Sequence, residues 1–420
     1  MKILWISNIE FPEALSLLSM PQEFKKTGGW MLGAANALVK SGEAEEFAIA
    51  SVSRNVTQLT ILEGANIKYY LLPYGKGNKF YNSEYEKYWI QIKNDFKPDV
   101  VHIHGTEFTH GLAYVRACGS HNVCVSIQGL KSACYQYYNS GLSAWIILKN
   151  ITIRDIFKGT LFHDKKKFKD LGIYEIEIIS RVNHIIGRTS WDRAKTWVIN
   201  PQATYHICNE TLRPEFYEGN KWNYNKCEKH TIFCSQASYP IKGIHQLLKA
   251  MPIIKYHYPD AKLRIAGSDI TKNSGFWGLK HFSGYGKILK YLIKKYQLED
   301  SVFFIGTLDA KEMCTEYLKC NVFVSPSSIE NSPNSVAEAQ ILGTPVIASF
   351  VGGTSDMMRG AENYLYRFEE VEMLAFYICR LFDKKVNEFP MIDTASYRHN
   401  PQRNMSNLLF IYKSIINPSV

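Results

Sequence analysis

The sequence predicts two doubly wound α/β domains, each built on a mainly parallel sheet. Two series of apolar, strand-like runs alternate with helical patterns, as expected for parallel strands that are covered on both faces. The chain of 420 residues is too long for a single ordinary hydrophobic core and suits two domains of roughly 200 residues each. With 46% hydrophobic and 21% charged residues, the composition is that of a globular protein.

The first domain is expected to span residues 1–210. Its first strand is Lys2–Ser7, and the apolar stretch there is too short for a secretory signal. A helix at Trp30–Val39 follows, entered through Gly28-Gly29. The later apolar runs predict strands at Phe47–Val52, Ile67–Leu72, Val100–His104, Val123–Ile127 and Asn183–Gly187, and a helix at Ser190–Val198.

Residues 131–180 break this rhythm and are expected to form a helical insertion in the first domain. The segment combines the apolar run Trp145-Ile146-Ile147-Leu148 with the cations Lys165-Lys166-Lys167 and Lys169. Two interpretations remain open. The segment is either a covering subdomain with a solvated basic face, or a basic amphipathic surface that docks on an anionic membrane.

The second domain is expected over residues 211–400. Residues 208–230 are polar and lack periodicity, which indicates an inter-domain linker. The predicted strands are Thr231–Ser235, Lys262–Gly267, Val302–Gly306, Val322–Ser325 and Pro345–Ser349. The predicted helices are Gly243–Met251, Lys287–Tyr296, Ala310–Tyr317, Ser335–Leu342 and Glu370–Phe382. A last helix, Asn404–Ile416, lies in the segment 401–420, which is expected to pack back on the first domain.

The most informative stretch follows the predicted strand Val322–Ser325, at the end of the sheet where α/β proteins bind ligands. A helix that starts at Pro333 or Asn334 directs its N–H groups and dipole into the preceding loop, an anion site that suits a diphosphate. Glu338 lies one turn into this helix and can reach a diol beside the phosphate, whereas Glu330 lies in the loop and can reach a sugar. The alternative for Glu338 is an ordinary solvated helix residue.

The spacing of Glu330 and Glu338 resembles the Glu-x7-Glu signature of glycosyltransferase family 4, a family of retaining enzymes with the GT-B fold. The resemblance extends over nearly the whole chain through Asp99–Gly105, Lys242-Gly243, Leu263–Gly267, Val302–Gly306, and Gly352-Gly353 with Asp356. It implies two Rossmann-like domains with a cleft between them. It also implies transfer of a sugar, as in a hexosyltransferase, from a nucleotide-diphosphate sugar to a hydroxyl acceptor, with retention at the anomeric carbon.

The resemblance also implies a role for each matching residue. Glu330 orients the donor sugar through its hydroxyls, Glu338 holds the ribose hydroxyls, and Lys242 neutralises the departing diphosphate. His104 faces the donor sugar from the first domain, and Gly28 and Gly29 bring the backbone close to the phosphates. The remaining donor-binding candidates are Ser332, Pro333, Asn334, Ser335, Thr307 and Leu308.

Some positions depart from the family pattern or allow another interpretation. Ala237 stands where the family usually has an arginine, so Lys131 and Arg188 are candidates for the missing phosphate cation. Gln128 replaces a frequent histidine, and glutamine can bond a hydroxyl but cannot act as a base. His104 is alternatively a structural residue at a strand end, since histidines there are often satisfied by the fold, and His102 points to the same face.

The composition limits the classes of partner that this chain is expected to bind. A net charge of +10 suits anionic partners such as a nucleotide diphosphate or an acidic membrane surface. No nucleic acid is expected, because no binding module is visible and the cations are dispersed. No metal or other cofactor is expected, since the sequence has no Asp-x-Asp motif and no helical histidine pair at ligand spacing.

The expected setting is cytoplasmic, with peripheral contact at the inner membrane face. No apolar run reaches about 18 residues, and the nine cysteines lack a disulfide spacing. The chain resembles bacterial enzymes that build surface polysaccharide, so a glycan or a lipid-linked sugar is the expected acceptor. Two other functions stay open: a nucleotide-sugar epimerase or hydrolase of the same fold, and a non-catalytic scaffold that binds sugar nucleotides.

Overall fold

The computed structural model of the chain describes residues 1–19, 29–75, 80–272, 282–384 and 392–417. The chain divides into two units. The first unit consists of Met1–Ala133, Phe168–Thr211 and His399–Val420. The second unit consists of Cys134–Lys167 and Leu212–Arg398. Within the described ranges, no helix is both long enough and apolar enough to cross a bilayer.

The first unit is built on a sheet that contains, among the described residues, eight strands in the order β3-β4-β2-β1-β5-β6-β7-β8. The strands are β1 (Lys2–Ser7), β2 (Glu46–Ser53), β3 (Thr60–Glu63), β4 (Lys68–Pro73), β5 (Val100–His104), β6 (Val123–Ser126), β7 (His184–Gly187) and β8 (Thr204–Ile207). Neighbouring strands are parallel except for the antiparallel edge pair of β3 and β4. From β1 the chain extends the sheet first to one side and then to the other. The junction of β1 and β5 is therefore the topological switch point, where such sheets bind ligands.

Helices connect and cover these strands. In the described part of the first unit they include Pro12–Leu17, Gly29–Ser41, Glu84–Phe96, His110–Cys118, Ser190–Ile199 and Pro401–Ile416, together with the end of Leu161–Arg181 from Phe168 onward. The last helix buries Leu408 and Ile411 in the same apolar cluster as Trp5. The indole of Trp5 donates a hydrogen bond to the Tyr412 hydroxyl at 2.9 Å. The C-terminal helix is thus part of the first unit's core.

The second unit repeats the plan with an all-parallel sheet, whose described strands have the order β11-β10-β9-β12-β13-β14. The strands are β9 (Thr231–Cys234), β10 (Lys262–Ile265), β11 (Val302–Phe304), β12 (Val322–Ser325), β13 (Val346–Ser349) and β14 (Leu365–Tyr366). From residue 215 onward the described α-helices are Glu215–Glu218, Ile244–His257, Gly284–Lys295, Ala310–Lys319, Asn334–Leu342, Thr354–Met357, Val371–Asp383 and Ile392–Arg398; Pro240–Lys242 and Glu362–Tyr364 are 3-10 turns. The switch point here is the junction of β9 and β12.

The predicted helical insertion does not group wholly with the first unit. Its elements are Lys131–Cys134, Tyr135–Tyr137, Ala144–Lys149, Ile153–Lys158 and Leu161–Arg181, and residues 134–167 group with the second unit. The reason is local packing. Leu142 and Ile147 are buried in the second unit's apolar core, and His245 Nε2 donates to the Ser140 carbonyl at 2.8 Å.

The polar segment 208–230 is not a free linker, because it groups with the second unit from Leu212 onward. Leu212 and Phe216 are buried in the core of that unit. The indole of Trp222 donates to the Cys320 carbonyl at 2.8 Å. A few buried side chains therefore attach this segment to the second unit, although its sequence has no hydrophobic period.

Candidate functional site

Two of the predicted site residues meet at the switch point of the second sheet. Lys242 ends the 3-10 turn Pro240–Lys242 after β9, and Glu330 lies in the loop after β12. Lys242 Nζ and Glu330 Oε1 are 2.6 Å apart, and the Ser327 hydroxyl donates to the same carboxylate oxygen at 2.7 Å. Sequence-distant residues thus form one ion pair because their strands are neighbours in the sheet.

The turn that carries Lys242 rests directly on the loop that carries Glu330. Gly243 has φ +69°, and a Cβ added there would lie 1.6 Å from the Pro326 carbonyl oxygen. The Ser328 N–H donates to the Ile241 carbonyl at 2.8 Å. The lysine is therefore followed by glycine for a steric reason, since a side chain there would separate the two loops.

A second glycine contact fixes Glu330 from the other side. Gly352 has φ +51°, and a Cβ there would lie 2.0 Å from the Glu330 carbonyl oxygen. The Gly353 N–H donates to that oxygen at 3.0 Å. The Gly-Gly segment after β13 thus holds the backbone of the loop in place.

Lys242 remains a cation in this setting. Burial disfavours its charged form, but the Glu330 carboxylate outweighs that effect and raises the pKa of the ammonium. The Tyr239 ring adds a cation–π contact, with its centroid 5.9 Å from Nζ. The site therefore contains a fixed positive charge that an anionic leaving group can use.

Glu338 is buried, so its interpretation as a solvated helix residue is wrong. Its Oε1 lies 3.0 Å from Arg213 Nη2, and its Oε2 accepts a hydrogen bond from the Tyr317 hydroxyl at 3.2 Å. Burial raises the pKa of the carboxyl group, and Arg213 opposes that rise. Arg213 was not among the predicted residues, because it lies in the aperiodic segment where no motif marks it.

The loop between the two glutamates leads into a helix N-terminus. The helix is Asn334–Leu342, with Pro333 at its N-cap position, and the Val336 N–H donates to the Pro333 carbonyl at 3.0 Å. In general, the N–H groups at the very start of a helix, ahead of such a bond, have no acceptor within the helix and carry the positive end of its dipole. Ser332 is buried beside Met357, and Ser335 is in the first turn. Thr307 and Leu308 follow β11, two strands away from β9.

Residues 137–140 also border this loop, which no motif had indicated. The Ser140 and Ser328 hydroxyls are 2.8 Å apart, and the Ser328 hydroxyl donates to the Tyr137 carbonyl at 3.1 Å. The helical segment therefore contacts the loop that carries Glu330 in the second unit's candidate site.

In the first unit, the two histidines of β5 differ sharply. The Tyr412 hydroxyl accepts the indole proton of Trp5 and shares a hydrogen bond of 2.6 Å with His102 Nδ1, while His102 Nε2 shares one with the Ser126 hydroxyl. Burial lowers the pKa of His102 to about 3. His102 is therefore a structural histidine.

His104 is instead packed among rings, and its imidazole stacks on that of His102 with the centroids 3.8 Å apart. Its ring centroid is 4.4 Å from that of Trp5 and 6.0 Å from that of Trp30. Among the described residues, neither ring nitrogen has a hydrogen-bond partner. Burial, reinforced by His102, holds the pKa of His104 well below its usual value, so the imidazole is neutral.

A polar cluster surrounds Gly105 at the switch point of the first sheet. Gly105 has φ +89°, and a Cβ there would lie 2.3 Å from Glu107 Oε2, 2.9 Å from Asn8 Nδ2 and 3.2 Å from Gln128 Cγ. The Gly129 N–H donates to Glu107 Oε1 at 2.9 Å, whereas Oε2 is buried without a partner in the part of the chain that the structure describes. Gln128 was predicted here; Asn8 and Glu107 were not.

Glu175 anchors the loops at the same carboxyl end of the first sheet. It is fully buried, and it accepts hydrogen bonds from the Thr106 hydroxyl at 2.9 Å and from the Ser132 N–H at 2.9 Å. Burial raises the pKa of Glu175 to about 7, against the effect of these hydrogen bonds. The loops after β5 and β6 are thus tied to one carboxyl group.

The two candidates for the missing cation are engaged within the first unit. The Lys131 ammonium donates to the Glu107 carbonyl, and Arg188 forms a buried ion pair with Glu210 at 2.7 Å. Ala237 is buried in the second unit's core. Gly29 begins the first long helix, while Gly28 lies outside the described residues.

Sequence comparison shows that the chain is similar to known glycosyltransferases. Residues 218–397 match the family described as Glycosyl transferases group 1. The chain is 26% identical over 167 residues to the GDP-mannose-dependent monoacylated alpha-(1-6)-phosphatidylinositol monomannoside mannosyltransferase of Corynebacterium glutamicum, covering 38% of the chain and 40% of that protein. It is 30% identical over 126 residues to the D-inositol 3-phosphate glycosyltransferase of Pseudarthrobacter chlorophenolicus, covering 30% of the chain and 27% of that protein. The match thus spans less than half the length of these relatives.

Solved structures resemble the chain over its full length. A sucrose-phosphate synthase from Thermosynechococcus elongatus has a TM-score of 0.70 at 16% identity, with 100% of both chains covered. An E. coli trehalose-6-phosphate structure bound with UDP-2-fluoro glucose has a TM-score of 0.62 at 11% identity, again with 100% of both chains covered. At such identities the likeness concerns the fold, and the predicted GT-B architecture of two Rossmann-like units is confirmed.

Proposed function

Because residues 218–397 match the family described as Glycosyl transferases group 1, we propose that the chain transfers a sugar, as a hexosyltransferase does, from a nucleotide-diphosphate sugar to a hydroxyl acceptor. The observation that carries the proposal is the Lys242–Glu330 ion pair, which lies at a sheet switch point, with Glu330 in the loop that leads into the helix Asn334–Leu342. A fixed cation and helix N–H groups suit a diphosphate, and a carboxylate next to them suits sugar hydroxyls.

In this proposal the ion pair occupies the donor site until the donor arrives. The diphosphate binds the Lys242 ammonium in place of Glu330. Glu330 then accepts hydrogen bonds from the donor sugar, while the Ser327 hydroxyl keeps the carboxylate in position. Glu338 accepts from the ribose hydroxyls, since Arg213 and Tyr317 fix its carboxylate from the other side. The backbone at Ser332 to Ser335 binds the sugar and the phosphate.

The reaction is proposed to retain the anomeric configuration. The bond from the anomeric carbon to the phosphate oxygen breaks, and the acceptor oxygen bonds that carbon on the same face. The departing phosphate takes the acceptor's proton, so Glu330 orients the sugar and forms no bond to it. Lys242 and the helix dipole stabilise the leaving charge. Full activity after treatment with EDTA is expected, because these groups supply the positive charge.

The first unit is proposed to bind the acceptor. The polar cluster of Asn8, Glu107 and Gln128 offers hydrogen bonds to sugar hydroxyls at the switch point of the first sheet, next to neutral His104 in β5. The relative from Corynebacterium glutamicum is named for an acylated phosphatidylinositol mannoside, which supports a lipid-linked sugar as acceptor. Assembly of surface polysaccharide at the cytoplasmic membrane face is the setting that we propose.

The decisive experiment is a donor screen by thermal shift. UDP, GDP, ADP, CMP and their common sugars are tested on the wild type, on Glu338→Gln and on Glu316→Gln. Glu316 is a matched control, because it forms an ion pair with Arg264 in the same unit at 2.7 Å. A ligand at 100 times its Kd should add about 2.7 kcal/mol of stability. We expect one nucleotide to stabilise the wild type and the control but not Glu338→Gln.

Turnover separates sugar transfer from its two alternatives. An epimerase or hydrolase converts the donor when no acceptor is present, and a scaffold binds the donor without converting it. The buried Ala237 in place of a cation is the observation that favours the scaffold. We expect a glycosylated product whose anomeric configuration by NMR matches that of the donor. An inverted linkage would refute the retaining mechanism, and the absence of a stabilising nucleotide would refute the donor site.

A further inference from the structure

Two short helices of the second unit, Ala144–Lys149 and Ile153–Lys158, present large apolar side chains to solvent. Trp145 is 71% exposed, Ile156 is 73% exposed and Phe157 is 83% exposed. Leu148 and Ile153 are also more than half exposed. Soluble surfaces rarely concentrate such residues within a stretch of this length unless the surface has a partner.

The exposed side chains are held outward by a well-anchored backbone. Ser143 caps the first helix, and Thr152 and Asp155 form a capping box at the second. Asp155 Oδ2 accepts the Gly284 N–H at 2.8 Å, and the Thr152 hydroxyl donates to the Phe282 carbonyl at 2.8 Å. These polar contacts fix the turn between the helices against the start of the helix Gly284–Lys295. The apolar side chains are therefore displayed by a fixed structure and do not result from a loose segment.

The surroundings of these side chains are cationic. Residues 143–167 contain one arginine and five lysines, Lys149, Lys158 and Lys165-Lys166-Lys167, against two acidic residues. Of the two acids, Asp155 is buried and paired with Arg154, and Asp164 is half-buried. On the neighbouring helix, Lys287 Nζ lies 3.4 Å from the Lys149 carbonyl. Exposed apolar groups thus alternate with positive charges that no exposed acid within this segment offsets.

We propose that this surface, formed by Trp145, Leu148, Ile153, Ile156 and Phe157 with Lys149 and Lys158, docks the protein on an anionic lipid bilayer. Tryptophan and phenylalanine enter the headgroup boundary, while lysines extend to the lipid phosphates. A second copy of the chain fits this surface less well, because symmetric pairing would bring its lysines together. The inference does not depend on the sugar-transfer chemistry, although a lipid-linked acceptor would be found at the same membrane.

Cosedimentation of the full chain with vesicles tests the proposal. One set of vesicles contains phosphatidylcholine alone, and the other contains equal parts of phosphatidylcholine and phosphatidylglycerol. The double variant Trp145→Ser, Phe157→Ser removes two apolar side chains. Its matched control, Tyr256→Ser with Phe376→Ser, removes two aromatic side chains that are 83% and 52% exposed on other helices of the same unit. We expect the first variant to bind the anionic vesicles at least about tenfold more weakly than the control, which corresponds to 1.4 kcal/mol.

Charge and oligomeric state supply the remaining outcomes. Lys149→Gln with Lys158→Gln should weaken binding to the anionic vesicles only, and added salt should do the same to the wild type. Equal binding by the Trp145/Phe157 variant and its control would overturn the proposal. A wild-type dimer that this variant converts to a monomer would also overturn it, since a second copy would then cover the surface. Donor binding by the variants, measured by thermal shift, keeps this result separate from the proposed activity.

Discussion

The substitution Glu330→Gln tests the ion pair at the centre of the candidate site. Removing one partner of a fully buried pair costs about 3–5 kcal/mol, and exposed pairs contribute about 0–1 kcal/mol. The Lys242 side chain is 21% exposed and the Glu330 side chain 15%, so the pair lies between these limits. We expect a loss of about 2 kcal/mol, and a Tm lowered by about 4–8 °C for a unit of this size.

Turnover should fall as well, for a reason that is separate from stability. The amide is nearly the same size and can still accept the Ser327 hydroxyl, but it carries no charge to orient the sugar's hydroxyl dipoles. Loss of one orienting group in a preorganised site typically costs about 100-fold or more in rate. The assay is release of the nucleoside diphosphate with saturating donor, followed in parallel with thermal unfolding.

The matched control is Glu316→Gln. Glu316 pairs with Arg264 at 2.7 Å, and the two side chains are 12% and 23% exposed, so this pair is as buried as the first. The control should lose similar stability and keep wild-type turnover. If Glu330→Gln turns over within about threefold of the control, a change of under 1 kcal/mol, the assignment of Glu330 to the donor sugar is wrong.

Three further predictions concern the supports of the two sites. Gly352→Ala should lower both Tm and turnover, because its Cβ meets a carbonyl oxygen at 2.0 Å; Gly42→Ala, with a φ of +68° in open space, should lower only Tm. His104→Leu should raise stability by about 1 kcal/mol and reduce turnover, since it removes a buried, unbonded imidazole, whereas His102→Leu should destabilise the protein by breaking two hydrogen bonds. Glu175, whose pKa is raised to about 7, contributes stability that is complete below about pH 4.5 and is lost as pH rises through 7; Glu175→Gln should remove this loss, up to about 3 kcal/mol, from the pH profile of unfolding.

The central strands could be predicted because they are buried on both faces. Lys2–Ser7, Val100–His104 and Val322–Ser325 have their predicted bounds. The edge strands β3 and β8 were missed, since their residues are only partly buried and show no continuous apolar run. The helix Glu84–Phe96 was also missed, although its buried Tyr85, Trp89, Ile92 and Phe96 follow the helical period.

In the candidate site, too, the residues marked by local sequence features could be predicted, and those brought in by long-range contacts could not. Glu330 was predicted because it lies in the loop before a helix start and has the Glu-x7-Glu spacing, and Lys242 because Lys242-Gly243 resembles the family pattern. Arg213 and Ser140 could not be found, since each lies in a segment without a period and is brought to the site by tertiary contacts over 125 and 188 residues of chain. For the same reason, the assignment of the segment 131–180 to the first domain was wrong for residues 134–167.

The two sheets show why switch points collect polar side chains. At such a point, consecutive connections leave in opposite directions, so the loops after two adjacent strands leave a gap that no helix fills. In the second sheet this gap contains Lys242 and Glu330, and in the first it contains Asn8, Glu107 and Gln128 around Gly105. Glycines with positive φ border both sets, because the loops approach each other more closely than a Cβ allows. Topology and the glycine contacts therefore account for the positions at the second gap, and the same reasoning, applied to the first sheet, identifies the residues most worth testing for acceptor binding.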